Sequence, residues 1–193
     1  MKRLLRPAVL VPVGIVAVVA LAVGLYLFQP WKLFTNTTVN EASPIAASAP
    51  AEPASATPTE SAMASTSPDS STPPTAPTVL STGTFISHEH GTSGTAQIIE
   101  LPDGSRVLRL ENLDTSNGPD LKVWLTDAPV IDGPSGWLVF DDGAYVDLGS
   151  LKGNKGNQNY PIPADVDLSS LTSVAIWCDR FSVSFGAAEL APV

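Results

Sequence analysis

The chain has one cysteine, Cys178, and two histidines, His88 and His90, in 193 residues. A single cysteine forms no disulfide within the chain and builds neither a cysteine zinc finger nor an iron–sulfur cluster. With two histidines, most metalloenzyme and Ser/His/Asp schemes lack ligands or bases. Basic residues are scarce too, ten against nineteen acidic, for a net charge of −9. Nucleic-acid binding needs a basic face that displaces counterions, so no nucleic-acid partner is expected.

What is present divides into three regions. In residues 1–34, a run of 21 residues from Ala8 to Phe28 has no charge. As a helix rising about 1.5 Å per residue it reaches roughly 30 Å, the thickness of a bilayer core. Lys2, Arg3 and Arg6 precede it and only Lys32 follows closely. The positive-inside rule then predicts a single-pass cell-membrane anchor, N-terminus cytoplasmic and the remainder extracytoplasmic. Tyr26 and Trp31 suit the outer interface. A cleaved signal peptide is the competing reading, because Ala20-Leu21-Ala22 resembles a cleavage triplet. However, Val23 to Phe28 continues apolar beyond it. A lipid-bearing cysteine is excluded, since Cys178 is far away.

Residues 35–80 contain no glycine, aromatic, lysine or arginine, and Pro, Ser, Thr and Ala supply 35 of the 46. Such a segment buries too little apolar surface to offset chain entropy and reads as a disordered stalk. Polyproline II bias would let it reach on the order of 140 Å at about 3.1 Å per residue. Ser/Thr/Pro tracts also invite O-glycosylation, and Asn36-Thr37-Thr38 fits the short N-glycosylation motif.

Residues 81–193 hold 12 of the 14 glycines and carry the folded domain. Leu121, Val123 and Leu125 alternate with Lys122, Trp124 and Thr126, and Phe181, Val183 and Phe185 alternate with Ser182 and Ser184. Val174, Ile176 and Cys178 share one face with Ala175 and Trp177 on the other, and turn residues such as Pro102-Asp103-Gly104 and Asp141-Asp142-Gly143 lie between runs. Period-two alternation with regular turns predicts an all-β antiparallel sandwich or barrel. The apolar parity flips between Cys178 and Phe181, so Asp179-Arg180 must hold a bulge, bend or tight turn. A bulge or bend is favoured, because a two-residue hairpin would want Asn-Gly or Asp-Gly.

Four sets of residues invite chemistry. Cys178 shares a strand face with Val174 and Ile176, which suits a small buried hydrophobe; a reactive thiol would need a positive neighbour and some exposure. His88 and His90, two apart, would share a face if extended, and with Cys178 would make the His2Cys set of a blue-copper site, lacking an axial Met within the domain. Met1 and Met63 lie outside it. The stretch from Lys152 to Tyr160 concentrates donors (Lys152, Asn154, Lys155, Asn157, Gln158, Asn159, Tyr160) on an acidic domain. It would bind an anion, a sugar or a carboxylate, or else satisfy its own backbone. Asn117-Gly118-Pro119-Asp120 reads as a turn, and Asp141-Asp142 has no calcium-loop spacing.

Several pieces, in order, resemble the electron-transfer DM-thirteen domain family. They are Gly83-Thr84-Phe85, Asn117-Gly118-Pro119-Asp120-Leu121, Tyr145-Val146-Asp147-Leu148-Gly149, Leu151-Lys152-Gly153-Asn154 and Val174-Ala175-Ile176-Trp177-Cys178. The resemblance covers about residues 82–190. It implies a β-rich extracytoplasmic domain with a proposed redox role centred on the cysteine, here Cys178, with Trp177 lining the site. It also implies a haem or metal as a candidate cofactor of unknown identity, and a separate redox partner protein, because no cytochrome module is fused. The alternative is a non-catalytic ligand- or protein-binding module at the cell surface; neither reading makes the chain a self-sufficient enzyme.

Overall fold

The computed structural model describes residues 7–47 and 76–193. The basic residues before the apolar run and most of the stalk lie outside the described residues. Helix α1, Pro7–Phe28, is 22 residues or about 33 Å long. Its span Leu10–Lys32 is long and apolar enough to cross a membrane and none of it is buried in the protein. Gln29, at φ 41°, ends the helix, and a 3-10 turn follows at Pro30–Phe34. A left-handed residue followed by proline is a common helix stop.

The chain then enters a short strand, β1 (Thr38–Asn40), and a one-turn helix, α2 (Pro44–Ala47). After the stalk come β2 (Thr78–Thr84), β3 (Ile86–Ser87), β4 (Ser93–Glu100), β5 (Arg106–Asp114) and β6 (Leu121–Thr126). The last five strands are β7 (Tyr145–Ser150), β8 (Lys155–Ile162), β9 (Ser173–Cys178), β10 (Val183–Glu189) and β11 (Ala191–Pro192). They form two sheets, β1-β8-β5-β4-β2-β11 and β3-β10-β9-β6-β7. All pairings are antiparallel except β1 with β8. The expected all-β sandwich is therefore present.

The core between the sheets follows the alternation. Leu121, Val123 and Leu125 of β6 meet Val174, Ile176 and Cys178 of β9, with Leu108, Leu110 and Tyr160 from the facing sheet. A second apolar cluster lies on the other face of β9 and β6: Trp124, Phe140, Ala175, Trp177 and Ala187. Phe140, with Val130 and Val139, comes from the long connection between β6 and β7, which folds back over that face. That return keeps the two outward tryptophans from facing water.

Two expectations need correction. First, the parity flip after Cys178 is neither a bulge nor a bend in a continuing strand. Cys178 pairs with Val183, so residues 179–182 form a four-residue hairpin loop and the chain reverses. Ser182, at φ 49°, supplies the left-handed turn position usually taken by Gly or Asn. The bulge falls later, between Ser184 and Gly186. Second, residues 35–42, given to the stalk on composition, lie on the domain. Thr38–Asn40 pairs with Lys155–Asn157, and Glu41 N–H donates to the Asn157 carbonyl at 2.9 Å. Unpaired groups at the edge of β8 are what the composition of an isolated segment cannot show.

Candidate functional site

Every side chain of the donor-rich stretch is already engaged. Gln158, fully buried, clasps Gly153 from both ends: its Nε2 donates to the Gly153 carbonyl at 2.7 Å and its Oε1 accepts from Gly153 N–H at 3.1 Å. Tyr160 donates its hydroxyl proton to the same Oε1 at 2.8 Å and accepts from Lys152 N–H at 3.0 Å. Burial pushes its pKa up to about 12, with the Glu41 charge adding and the Lys152 N–H opposing. Asn154 donates to the Thr115 carbonyl (2.7 Å) and to Asn36 Oδ1 (2.8 Å), and accepts from Thr37 N–H (2.7 Å). Lys152 pairs with Glu41 at 2.7 Å, and that bond holds the Glu41 carboxyl below its ordinary range, helped by the Asn159 N–H. Asn159 reaches the Ala42 carbonyl and accepts from the buried Arg109. Lys155 pairs with Asp114, and Asn157 accepts from Asn112 N–H while donating to Asn40. The stretch is a clasp: it completes its own turn and holds residues 35–42.

Beside it opens a cleft of about 280 Å³, lined by Lys32, Asn117, Asp120, Ser150, Lys152 and Asn154. Lys32 donates to the Pro119 carbonyl at 3.4 Å, so the connection leaving α1 forms one wall.

Cys178 is fully buried and faces the inter-sheet core with Val174 and Ile176. Burial raises its pKa above the ordinary thiol value. The N–H groups of Phe181, Arg180 and Asp120 pull the other way, and the Asp120 charge adds to the rise. A thiol so placed is the protonated, inert form.

The histidines do not share a face. His88 is buried, its Nδ1 at 2.8 Å from Ser184 Oγ, and its ring lies 5.6 Å from Phe140. Its pKa is lowered by burial, against the Ile131 carbonyl and the Asp132 charge. Nε2 is buried and meets no partner in good geometry. His90 instead lies on Phe185, ring centroids 3.9 Å apart, and pairs with Glu89. Ser184 and Phe185 point to opposite faces of β10, so a bend after β3 sends the two imidazoles apart. Among the described residues no three His, Cys, Asp or Glu side chains converge as a metal would need. The cleft beside His90, about 300 Å³, is at the small end for even a drug-sized ligand. The donor set therefore does not fit a His2Cys metal centre, nor a haem held by these residues.

The arrangement that does stand out is aromatic. On the outer face of the second sheet, Tyr145 stacks on Trp124 (centroids 4.0 Å, 10° between planes) and Trp124 stacks on Trp177 (5.0 Å, 24°). Phe140 meets Trp177 edge-on at 6.4 Å. Tyr145 is 46% exposed, whereas Trp124 and Trp177 are buried. The column thus runs from the surface to the residue next to Cys178. Of its members only Trp177 was legible as a site candidate; the outward position of Trp124 on β6 was the available signal for a covered face.

Fold and column together define a β-sandwich module with a continuous stack of oxidisable side chains, behind a helix able to cross a membrane. The family profile described as Electron transfer DM13 matches residues 84–190, more than half of the chain, and the protein belongs to that family. No curated protein and no solved structure matches it significantly.

Proposed function

We propose that the protein is a membrane-tethered, extracytoplasmic electron-transfer module, with the Tyr145–Trp124–Trp177 column as its internal route. The family supports the redox role, and the observation that carries the route is the two stacked contacts at 4.0 and 5.0 Å. Indole and phenol rings are the side chains, apart from cysteine, from which an electron is most readily removed, and close stacking supplies through-space coupling. A separate redox protein meets the exposed Tyr145 edge. A one-electron oxidant there leaves the column one electron short. The vacancy settles on Tyr145, whose phenolic proton passes to water, because the buried Trp124 N–H has no partner to take its proton. A one-electron reductant of the partner refills Tyr145 as it recovers a proton from water. Cys178 serves as core next to the inner end, since a buried, protonated thiol has no reason to ionise. The binding-module alternative loses its contact surface, because the Lys152–Tyr160 donors are spent within the protein.

Flash oxidation of the full chain by a water-soluble ruthenium photo-oxidant tests this. A tryptophanyl signal should give way to a tyrosyl one, and Trp124→Phe should remove the first phase while Tyr145 is still oxidised. Identical kinetics in the variant would refute the route. Cys178→Ser should leave both phases in place.

A further inference from the structure

We infer that the tip of the β9–β10 hairpin is a lipid-binding surface, seated in the headgroup layer of the leaflet where α1 ends. The inference rests on reading α1 as a membrane span and extends it to the folded domain. Phe28 is the last residue of α1, and its ring stacks on that of Phe181, centroids 5.8 Å apart and 20° between planes. At about 33 Å, α1 slightly exceeds the hydrocarbon thickness of about 30 Å, so Phe28 falls at its boundary. The headgroup layer beyond is roughly 5–7 Å deep on each side. A ring in stacking contact with Phe28 therefore lies inside that layer.

The surroundings agree. Phe181 is 47% exposed although it is large and apolar, and Trp31 (50%) and Phe34 (87%) on the adjoining 3-10 turn are exposed as well. Trp31 is of the type enriched at the membrane interface, and Phe181 and Phe34 offer apolar area to bury beside it. Between the helix end and the hairpin opens the cleft of about 300 Å³, walled by Phe28, Pro30, Pro119, Phe181 and Phe185. It is continuous with the span, so the hydrocarbon edge of the same leaflet is its occupant.

Charge at this end is balanced: Lys32 and Arg180 stand against Glu89 and Asp179. The seat therefore grips neutral lipid by burying apolar surface and does not depend on anionic headgroups. That choice suits a domain whose net charge is negative.

The test uses the full chain reconstituted into phosphatidylcholine vesicles, with a nitroxide attached after Arg180→Cys or, as a solvent-facing control, Asp141→Cys. The buried Cys178 thiol does not take the label in the folded protein. Flotation reports the span, and collision of the label with oxygen against a water-soluble nickel complex reports the seat. The position 180 label should favour oxygen and the position 141 label nickel, with no change in high salt; adding Phe181→Glu should move the position 180 label into water while flotation persists. A chain that floats with both labels equally aqueous refutes the seat alone. A chain that does not float refutes the span, and the seat falls with it.

Discussion

Asn154→Ala should loosen two parts of the protein by separable amounts. Asn154 is 2% exposed and its side chain makes three hydrogen bonds, one to the Thr115 carbonyl within the domain and two that join residues 35–42 to it. The bond to the Thr115 carbonyl lies in the interior, and losing it leaves a buried acceptor unsatisfied, a cost of about 1–3 kcal/mol. The bonds to Thr37 N–H and Asn36 Oδ1 lie at a more exposed edge where water can substitute, so each is worth about 0.5 kcal/mol. The total is about 3 kcal/mol, of which about 1 kcal/mol runs through residues 35–42. At roughly 4 °C per kcal/mol for a domain of this size, the Tm should fall by roughly 10 °C. The assay is thermal melting of the full chain in detergent, with Asn154→Ala made both in the intact chain and in one lacking residues 35–47. If Asn154 holds that segment, the variant should cost about 1 kcal/mol less once the segment is gone. Equal losses in both chains would show that Asn154 supports only the Thr115 turn and that the clasp does not depend on it.

Cys178→Ala, by removing a buried sulfur, should cost about 1–2 kcal/mol and leave flash-induced radical formation unchanged, and the native thiol should resist alkylation until denaturant unfolds the domain; rapid labelling of the folded protein would contradict the burial. His88 has its pKa lowered by burial, so the folded state binds its proton less readily than the unfolded state. Stability should be full above the unfolded value of 6.5 and fall as pH drops below it, and His88→Gln should flatten that slope in denaturant titrations taken at several pH values.

Local alternation told which residues face the core, because a strand's side-chain period does not depend on its partners. Val174, Ile176 and Cys178 point inward for that reason. The same pattern exposed a break after Cys178 but not its kind: Asp-Arg-Phe-Ser contains neither Gly nor Asn, and Ser182 takes the positive φ that those residues usually announce. The docking of residues 38–40 was hidden because what recommends them is the open edge of β8, more than 110 residues later. Gly156 marks that edge, at φ 100° and so close to Val39 that a Cβ would run into its carbonyl. The aromatic column depended on two strand registers at once, among three strands. Tyr145 meets Trp124 only because Thr126 pairs with Tyr145, and Trp124 meets Trp177 only because Lys122 pairs with Trp177 one dipeptide away.

The docked segment shortens the link between helix and domain. A free tether of 46 residues would let the domain roam on the order of 140 Å from the membrane. Here residues 35–42 are bonded to the domain. The distance from helix to domain is then set by the few residues between Phe28 and Thr35, and Lys32 on Pro119 and Phe28 on Phe181 close even that gap. Sheet direction converts this into an orientation. Leu121 of β6 pairs with Cys178, beside the hairpin tip, and Thr126 at its other end pairs with Tyr145. Six residues of strand span roughly 17–20 Å. With the tip seated in lipid, the exposed end of the aromatic column is held about that far above it, where a soluble partner can reach Tyr145, while Trp177 and Cys178 stay at the membrane end. Cutting the clasp should therefore leave the stacked rings intact yet free the domain from its fixed place at the helix end. A partner confined to the membrane plane would lose contact, and a freely diffusing one would not.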